Sequence, residues 1–377
     1  MTPVELSRSV LHAVRRAVDE GELCVTVPER AVVTPPGSGG CGDYATNVAL
    51  QLAAAAGQPP QRVAEILRAR LLDEQRFADV VVTGPGFLNF RLRGTASADL
   101  VAEVLRRGPR YGHATTGFSG TSVVLSCPAE VRAVVVADAV SRALRSQGHY
   151  VRVECEGRPA PEWRTVLGVD VTTRGPRIAD TDARIADPDA RTADSDARPA
   201  DPDARITETH LRITPVPAPT PATPLPLGRD AARWALLHPA AHDRPRIPGD
   251  HLVQREGNPL FRVRYAHART RALLRNAADL GFHPEPGPVS EADALIALLG
   301  DHPRVLAATA THHTPDRLAR HLIAVADAAM PLLPAVLPLG EEKPSAAHRA
   351  RLALAEAAGT VLAGGLSLLG IDAPDHL

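Results

Sequence analysis

Val123-Val124-Leu125-Ser126-Cys127-Pro128-Ala129-Glu130-Val131-Arg132-Ala133-Val134-Val135-Val136 passes from one apolar run through a proline turn into another. The first run is short and bounded by Pro128, as a buried strand is; the second continues to Ser146, a length that fits a helix over Glu130–Ser146. Gly148 ends it, and Tyr150–Val153 reads as a further strand. Strand, helix and strand over 122–154 are the opening of a doubly wound, Rossmann-like α/β sheet. Two parallel strands make no stable sheet alone. Val166–Val171 or Leu211–Val216 is therefore expected to add strands, or the unit docks on a neighbour.

Upstream, residues 3–20 place Val10, Leu11, Val14 and Val18 on one helical face. Leu23, Val25 and Val27 alternate with Cys24 and Thr26 as a half-buried strand. After a Pro/Gly/Ser loop, Asp43 is placed to cap a helix carrying Val48, Ala49 and Leu52. A second helix follows Pro59-Pro60. Val80-Val81-Val82 and Phe87–Leu92 read as a hairpin around Gly84-Pro85-Gly86. With a helix ending near Arg107, residues 1–110 predict a small α+β domain.

Downstream, 120–173 holds the α/β fragment, and 174–226 reads as linker. Ile178–Arg205 is four copies of a seven-residue unit, beginning Ile-Ala-Asp-Thr-Asp-Ala-Arg. The unit lacks a second apolar position for a coiled coil and the glycines of a calcium repeat. Such a segment buries too little apolar surface to order itself, so a disordered linker is expected, continued by a polyproline-like spacer over Pro215–Pro226. Residues 227–377 predict an all-α helical bundle. Its helices start near Arg229, Pro259, Ser290 and Asp301, then after Thr314-Pro315 and at Ser345, with a stop at Gly370.

The net charge is −1, so a nucleic-acid surface must come from local clustering. Lys343 is the only lysine. Cys24, Cys41, Cys127 and Cys155 form no C-x-x-C pair and read as reduced thiols of a cytoplasmic protein. The histidines lack ligand spacing, so no metal is expected. No apolar run has the length of a membrane span.

The strings Gly42-Asp43-Tyr44-Ala45-Thr46-Asn47-Val48-Ala49-Leu50 and Gly84-Pro85-Gly86-Phe87-Leu88-Asn89-Phe90 resemble the N-terminal tRNA-elbow domain of arginyl-tRNA synthetase. Leu227–Leu237, Asn258-Pro259-Leu260-Phe261, Tyr265-Ala266-His267-Ala268-Arg269 and Leu366–Pro374 resemble its DALR-type anticodon-binding end. The resemblance covers about 1–155 and 227–377, in family order. It implies that Phe87 stacks on a nucleotide of the tRNA elbow while the Asn89 amide reads its edge. Phe87 is equally readable as a core residue of the hairpin.

In the second block, spacings of 3, 4 and 4 put Arg264, His267, Arg271 and Arg275 on one helical face. A guanidinium row suits phosphate oxygens, and a solvated charged face is the plainer reading. In the family this helix lies along the tRNA, which adds Tyr265 and Arg269 to the expected tRNA-binding set.

Class I synthetases steady the reacting α-phosphate of ATP with an H-x-G-H turn and a K-M-S-K loop. In this chain Ser126-Cys127-Pro128-Ala129 runs through Glu130-Val131-Arg132 to Val136-Ala137-Asp138-Ala139 with no H-x-G-H, and Lys343 lies far away in the helical block. The rest of a catalytic domain is reduced to 155–227, most of it linker. The expected function is a non-catalytic, synthetase-like tRNA-binding protein with no catalytic residue, cofactor or metal, and with tRNA as partner. One alternative is an arginine–tRNA ligase using ATP and Mg. Another is a protein-interaction module. Leu377 stands where the family ends in methionine, so no anticodon preference is implied.

Overall fold

Leu6, Val10, Ala13, Val14 and Ala17 recur at helical spacing and are all buried, forming the inner face of α1 (Pro3–Asp19). In the computed structural model, which describes residues 3–34, 36, 41–73, 77–92, 94–115, 121–173, 207–219, 223–289 and 291–377, this helix covers a first core. There follow β1 (Val33–Thr34), β2 (Tyr44–Thr46), α2 (Val48–Ala56), α3 (Pro60–Leu72), β3 (Phe77–Thr83) and β4 (Phe87–Leu92). The strands form an antiparallel sheet in the order β1-β2-β4-β3. Phe77 and Phe90 meet in its core, ring centroids 5.5 Å apart.

Two expectations fail here. Residues 23–27 form no strand: beyond Gly21, the amides of Glu22 and Leu23 fold back onto the Ala17 carbonyl at 2.9 and 3.0 Å. Leu23 is thereby buried by the turn that ends α1, without a ladder partner. Asp43 caps no helix. Tyr44–Thr46 is drawn into the sheet against β4, and the helix starts after it with Asn47 at the cap position. Gly42 makes that approach feasible, because a Cβ there would lie 2.5 Å from the Phe90 carbonyl oxygen.

A second core begins at α4 (Gly94–Arg107), whose Leu100, Val101 and Val104 pack with the C-terminal helices rather than with the first core. Tyr111 follows, buried, its hydroxyl donating to the Leu299 carbonyl at 3.1 Å. Then come β5 (Thr121–Cys127), α5 (Val131–Ser146), β6 (Tyr150–Cys155), α6 (Pro161–Leu167), β7 (Thr172–Thr173) and β8 (Thr207–Arg212). They build a four-stranded parallel sheet in the order β7-β6-β5-β8.

The expected strand–helix–strand is present and gains a strand on each side, though not where the apolar runs suggested. Val166 and Leu167 end α6, which Gly168 terminates in a left-handed turn, so the strand shifts to Thr172–Thr173. On the other side only Leu211 and Arg212 of Leu211–Val216 are in β8. That strand and the following Pro-rich stretch fall inside the span read as linker. Val216 N–H donates to the Ala241 carbonyl at 2.8 Å, so this part is pinned rather than a free spacer. The repeat Ile178–Arg205 lies outside the described residues.

The helical block comprises α7 (Gly228–Leu237), α8 (Pro259–Asp279), α9 (Asp293–His312), α10 (Pro315–Ala329) and α11 (Ala346–Leu368). One helix spans the region expected to hold two. Pro303 lies inside α9, where interior proline costs about 3 kcal/mol, but Leu295, Leu299, His302, Leu306 and Ala310 form one continuous buried stripe. Their burial outweighs the break. Ser345 and His348 form the capping box of α11, and Gly370 turns the chain at φ +71°. Helix α5 is buried on nearly every face, with the sheet on one side and α7, α9, α10 and α11 around it. That contact stabilises a sheet too small to stand alone. No helix among the described residues is long and apolar enough to cross a membrane.

Candidate nucleic-acid interface

The β3–β4 hairpin pairs Thr83 with Phe87 across Gly84-Pro85-Gly86. Gly86 sits at φ +137°, with a would-be Cβ only 2.9 Å from the Pro60 carbonyl oxygen, so the tip rests tightly on the start of α3. Phe87 is 40% exposed there, an apolar ring displayed rather than buried. Asn89 is different. It is 2% exposed, and its amide nitrogen donates to Thr83 Oγ1 at 2.7 Å and to the Val81 carbonyl at 3.3 Å. Its Oδ1 accepts from Cys41 N–H at 3.3 Å. The amide expected to read a base edge is thus committed to the hairpin and the 41–43 loop. It positions the Phe87 turn.

Asn258 starts α8, accepting from the amides of Leu260 and Phe261 while its own NH₂ donates to the carbonyls of His251 and Val253, both at 2.9 Å. On the face reached by His267, Arg271 and Arg275 the occupant is the chain's own 374–376 segment. His267 is buried, with Nδ1 3.0 Å from the Pro374 carbonyl oxygen. Burial pushes its pKa down, against the Pro374 hydrogen bond and Asp375. It is an internal anchor, not a displayed cation. Arg271 Nε donates to Asp375 Oδ1 at 3.0 Å, which holds that carboxyl below its ordinary range. Arg275 Nη2 lies 3.4 Å from the Asp375 carbonyl oxygen and 3.3 Å from His376 Nδ1.

Arg264 pairs with Asp230 at 3.5 Å, and Tyr265 stacks on Phe261 at 5.5 Å. Arg269 is exposed and leaves the helix on the side away from Arg271. The displayed cations of α8 are therefore Arg269, Arg271 and Arg275. Phe87 and Asn89 lie on β4 of the antiparallel sheet, and the other candidates lie on α8 of the helical block. Sequence reasoning missed Asp375; two aspartates, Asp372 and Asp375, in the tail after an arginine-rich helix were the available signal.

In a doubly wound sheet, ligands bind outside the carboxyl ends of the strands. At that edge the turn after β5 is filled from within. Glu130 caps α5, its carboxylate accepting from Ala133 N–H at 2.9 Å and from Ala218 N–H at 3.0 Å. Arg132, fully buried, donates to five carbonyls: Leu236 at 3.0 Å, Val216 and Asp243 at 2.6 Å, Pro239 at 3.0 Å and Ala240 at 2.8 Å. Burial lowers its pKa, yet a guanidinium stays charged in proteins, and the carbonyl ring is what solvates it. Sequence reading noticed Arg132 only as part of a shortened turn.

Residues 5–92 match the family model of the arginyl tRNA synthetase N terminal domain, and 263–377 that of the DALR anticodon binding domain. An arginine–tRNA ligase of Frankia alni is 28% identical over 558 positions, and one of Pseudarthrobacter chlorophenolicus 25% over 556, each alignment covering 100% of both chains. With 377 residues here, about a third of the Frankia alignment has no counterpart in this chain. A Renibacterium salmoninarum arginine–tRNA ligase is 39% identical over 166 residues, 41% of this chain and 30% of its own. Among solved structures, the Thermus thermophilus arginyl-tRNA synthetase superposes with a TM-score of 0.65 at 17% identity, covering 100% of both chains. The Plasmodium falciparum enzyme gives 0.67 at 10%, covering 100% of this chain and 99% of its own.

Proposed function

We propose that this chain, a member of the arginyl-tRNA synthetase family by its N-terminal and DALR anticodon-binding domains, binds tRNA without activating an amino acid. The tRNA partner is supported by the anticodon-binding domain, by the Phe87 ring displayed at the hairpin tip, and by Arg269, Arg271 and Arg275 on α8. Two sites on one ligand reinforce each other through effective concentration. Bases stack on exposed rings, and guanidiniums release counterions from phosphates.

One observation carries the non-catalytic part. The N-terminus of α5, where a nucleotide would need free donors, is capped by Glu130, and the adjacent Arg132 is consumed by carbonyls of the 216–243 region. Neither an H-x-G-H turn nor a lysine other than Lys343 occurs in the sequence to supply charge there.

Arginine–tRNA ligation is the second reading, and the comparisons favour it over the first. The Frankia alni and Pseudarthrobacter chlorophenolicus relatives, each aligned over the whole chain, carry that name. On that reading ATP and Mg are required, and arginines must do the work of the absent lysines.

Electrophoretic mobility shift of the full chain with tRNA at low and high salt tests the binding reading. A shift lost steeply as salt rises is expected; no shift at low salt, or one indifferent to salt, contradicts it.

A further inference from the structure

We propose that the free edge of β8 pairs antiparallel with the same strand of a second copy of this chain. The parallel sheet runs β7-β6-β5-β8, so β8 is bonded to β5 on one side and, among the described residues, to no strand on the other. A doubly wound sheet ordinarily continues past its fourth strand. The opposite edge, β7, has two residues and is too short to template a partner. β8 has six, keeps an unbroken register with β5, and contains no bulge or proline of the kind that blunts an edge. At about 3.3 Å per residue it offers an edge roughly 20 Å long.

The side chains of β8 name the partner. Leu211 points to the α5 side and packs on the core, yet it stays half-buried where its neighbour Leu125 is fully buried, so the apolar row is incompletely covered at this edge. Glu208, His210 and Arg212 alternate with it on the outer face and are exposed. Set antiparallel about a two-fold axis through His210, the strand is self-complementary. Glu208 faces the partner's Arg212, Arg212 faces the partner's Glu208, and Thr209 faces the partner's Leu211. An axis at Leu211 instead opposes Arg212 to the partner's His210, and one at Thr209 leaves Arg212 facing no residue of β8. Charge therefore selects β8 itself, in one register, over an arbitrary strand. Within the chain Glu208 lies 3.7 Å from Arg152 and 3.8 Å from His210, and Arg212 lies 2.8 Å from Glu156. These pairs are exposed and cost little to rearrange. The product is one continuous sheet shared by two copies. A contact of one strand's length is small beside a permanent interface, so the dimer is weak and reversible.

The test is analytical ultracentrifugation of the full chain from low to high micromolar concentration, without RNA. Wild-type protein is expected to dimerise reversibly. E208R and R212E each place like charges opposite one another and should weaken the dimer by about tenfold or more, while E208R/R212E, which exchanges the two signs, should restore it. R152Q and E156Q remove only the pairs within the chain and should not weaken it. Thermal melts confirm that all of these variants fold. Oxidative cross-linking with copper phenanthroline reads the register in a C24S background, which removes the exposed cysteine. Directly opposed residues lie about 4.5–5.5 Å apart at Cα, within reach of a disulfide, so H210C should link to its copy and E208C should not. A monomer at every concentration overturns the proposal, as does a double variant no stronger than the single ones, or cross-linking of E208C as ready as that of H210C. The surface is independent of the tRNA reading: R271Q/R275Q alters α8 and should dimerise as wild type does.

Discussion

Arg233 Nη2 donates to Asp138 Oδ2 at 2.6 Å, with both side chains buried. The same guanidinium donates to the carbonyls of Leu369 at 2.7 Å and Leu167 at 3.0 Å. One side chain of α7 therefore joins α5, the end of α6 and the end of α11. The four-stranded parallel sheet is held to the helical block by this buried charge as well as by apolar packing. Removing one partner of a buried pair strands the other charge, at about 3–5 kcal/mol.

D138A should cost about that much in urea unfolding, because Arg233 loses the one carboxylate it pairs with among the described residues, in a dry site. R233M should cost less, since Asp138 keeps Arg142 at 3.0 Å. The reverse order would show that the carbonyl contacts matter more than the ion pair.

Asn89 and Phe87 should separate stability from binding. N89A leaves buried partners unpaired and is expected to lower stability by about 1–3 kcal/mol. F87A, at an exposed position, should leave the melting temperature nearly unchanged while weakening tRNA binding about tenfold, the value of one stacked base. Thermal melts and mobility shifts on the two variants check this, and a binding loss in N89A alone would remove Phe87 from the interface.

Much of this architecture is legible in sequence because it is local. The Gly84-Pro85-Gly86 hairpin, the β5–α5–β6 unit and the caps of α8 and α11 are each set by residues within a few positions. What was illegible is long-range. β8 pairs with β5 across the repeat, Asn89 is buried by a loop some 48 residues away, and His267 by a tail 107 residues on. Helical spacing put Arg264, His267, Arg271 and Arg275 on one face, but it could not say that Asp375 already lies against it.

R271Q/R275Q should reduce the slope of log affinity against log salt by about two, if both guanidiniums contact phosphates. Because Asp375 competes for Arg271, D375N should bind tRNA more tightly than wild type at low salt. Mobility shifts across a salt series measure both, and an unchanged slope would place the tRNA elsewhere.

His302 and His321 stack at 5.2 Å inside the helical block, and burial lowers both pKa values, that of His321 to about 4. A base whose folded pKa is depressed below its usual 6.5 is neutral in the native state, while the unfolded chain takes up the proton first. Stability is then full above pH 6.5 and falls as pH drops from 6.5 towards 4, by roughly 3 kcal/mol for His321. Urea midpoints across this window should decline, and H321L should flatten the decline.

The central claim is that these domains hold tRNA beside a nucleotide edge closed by Glu130 and Arg132. Arginine-dependent exchange of pyrophosphate into ATP, run with tRNA present, tests it most directly. No exchange above background is predicted from protein that shifts tRNA in the same buffer; exchange that requires arginine would contradict the account and establish a ligase.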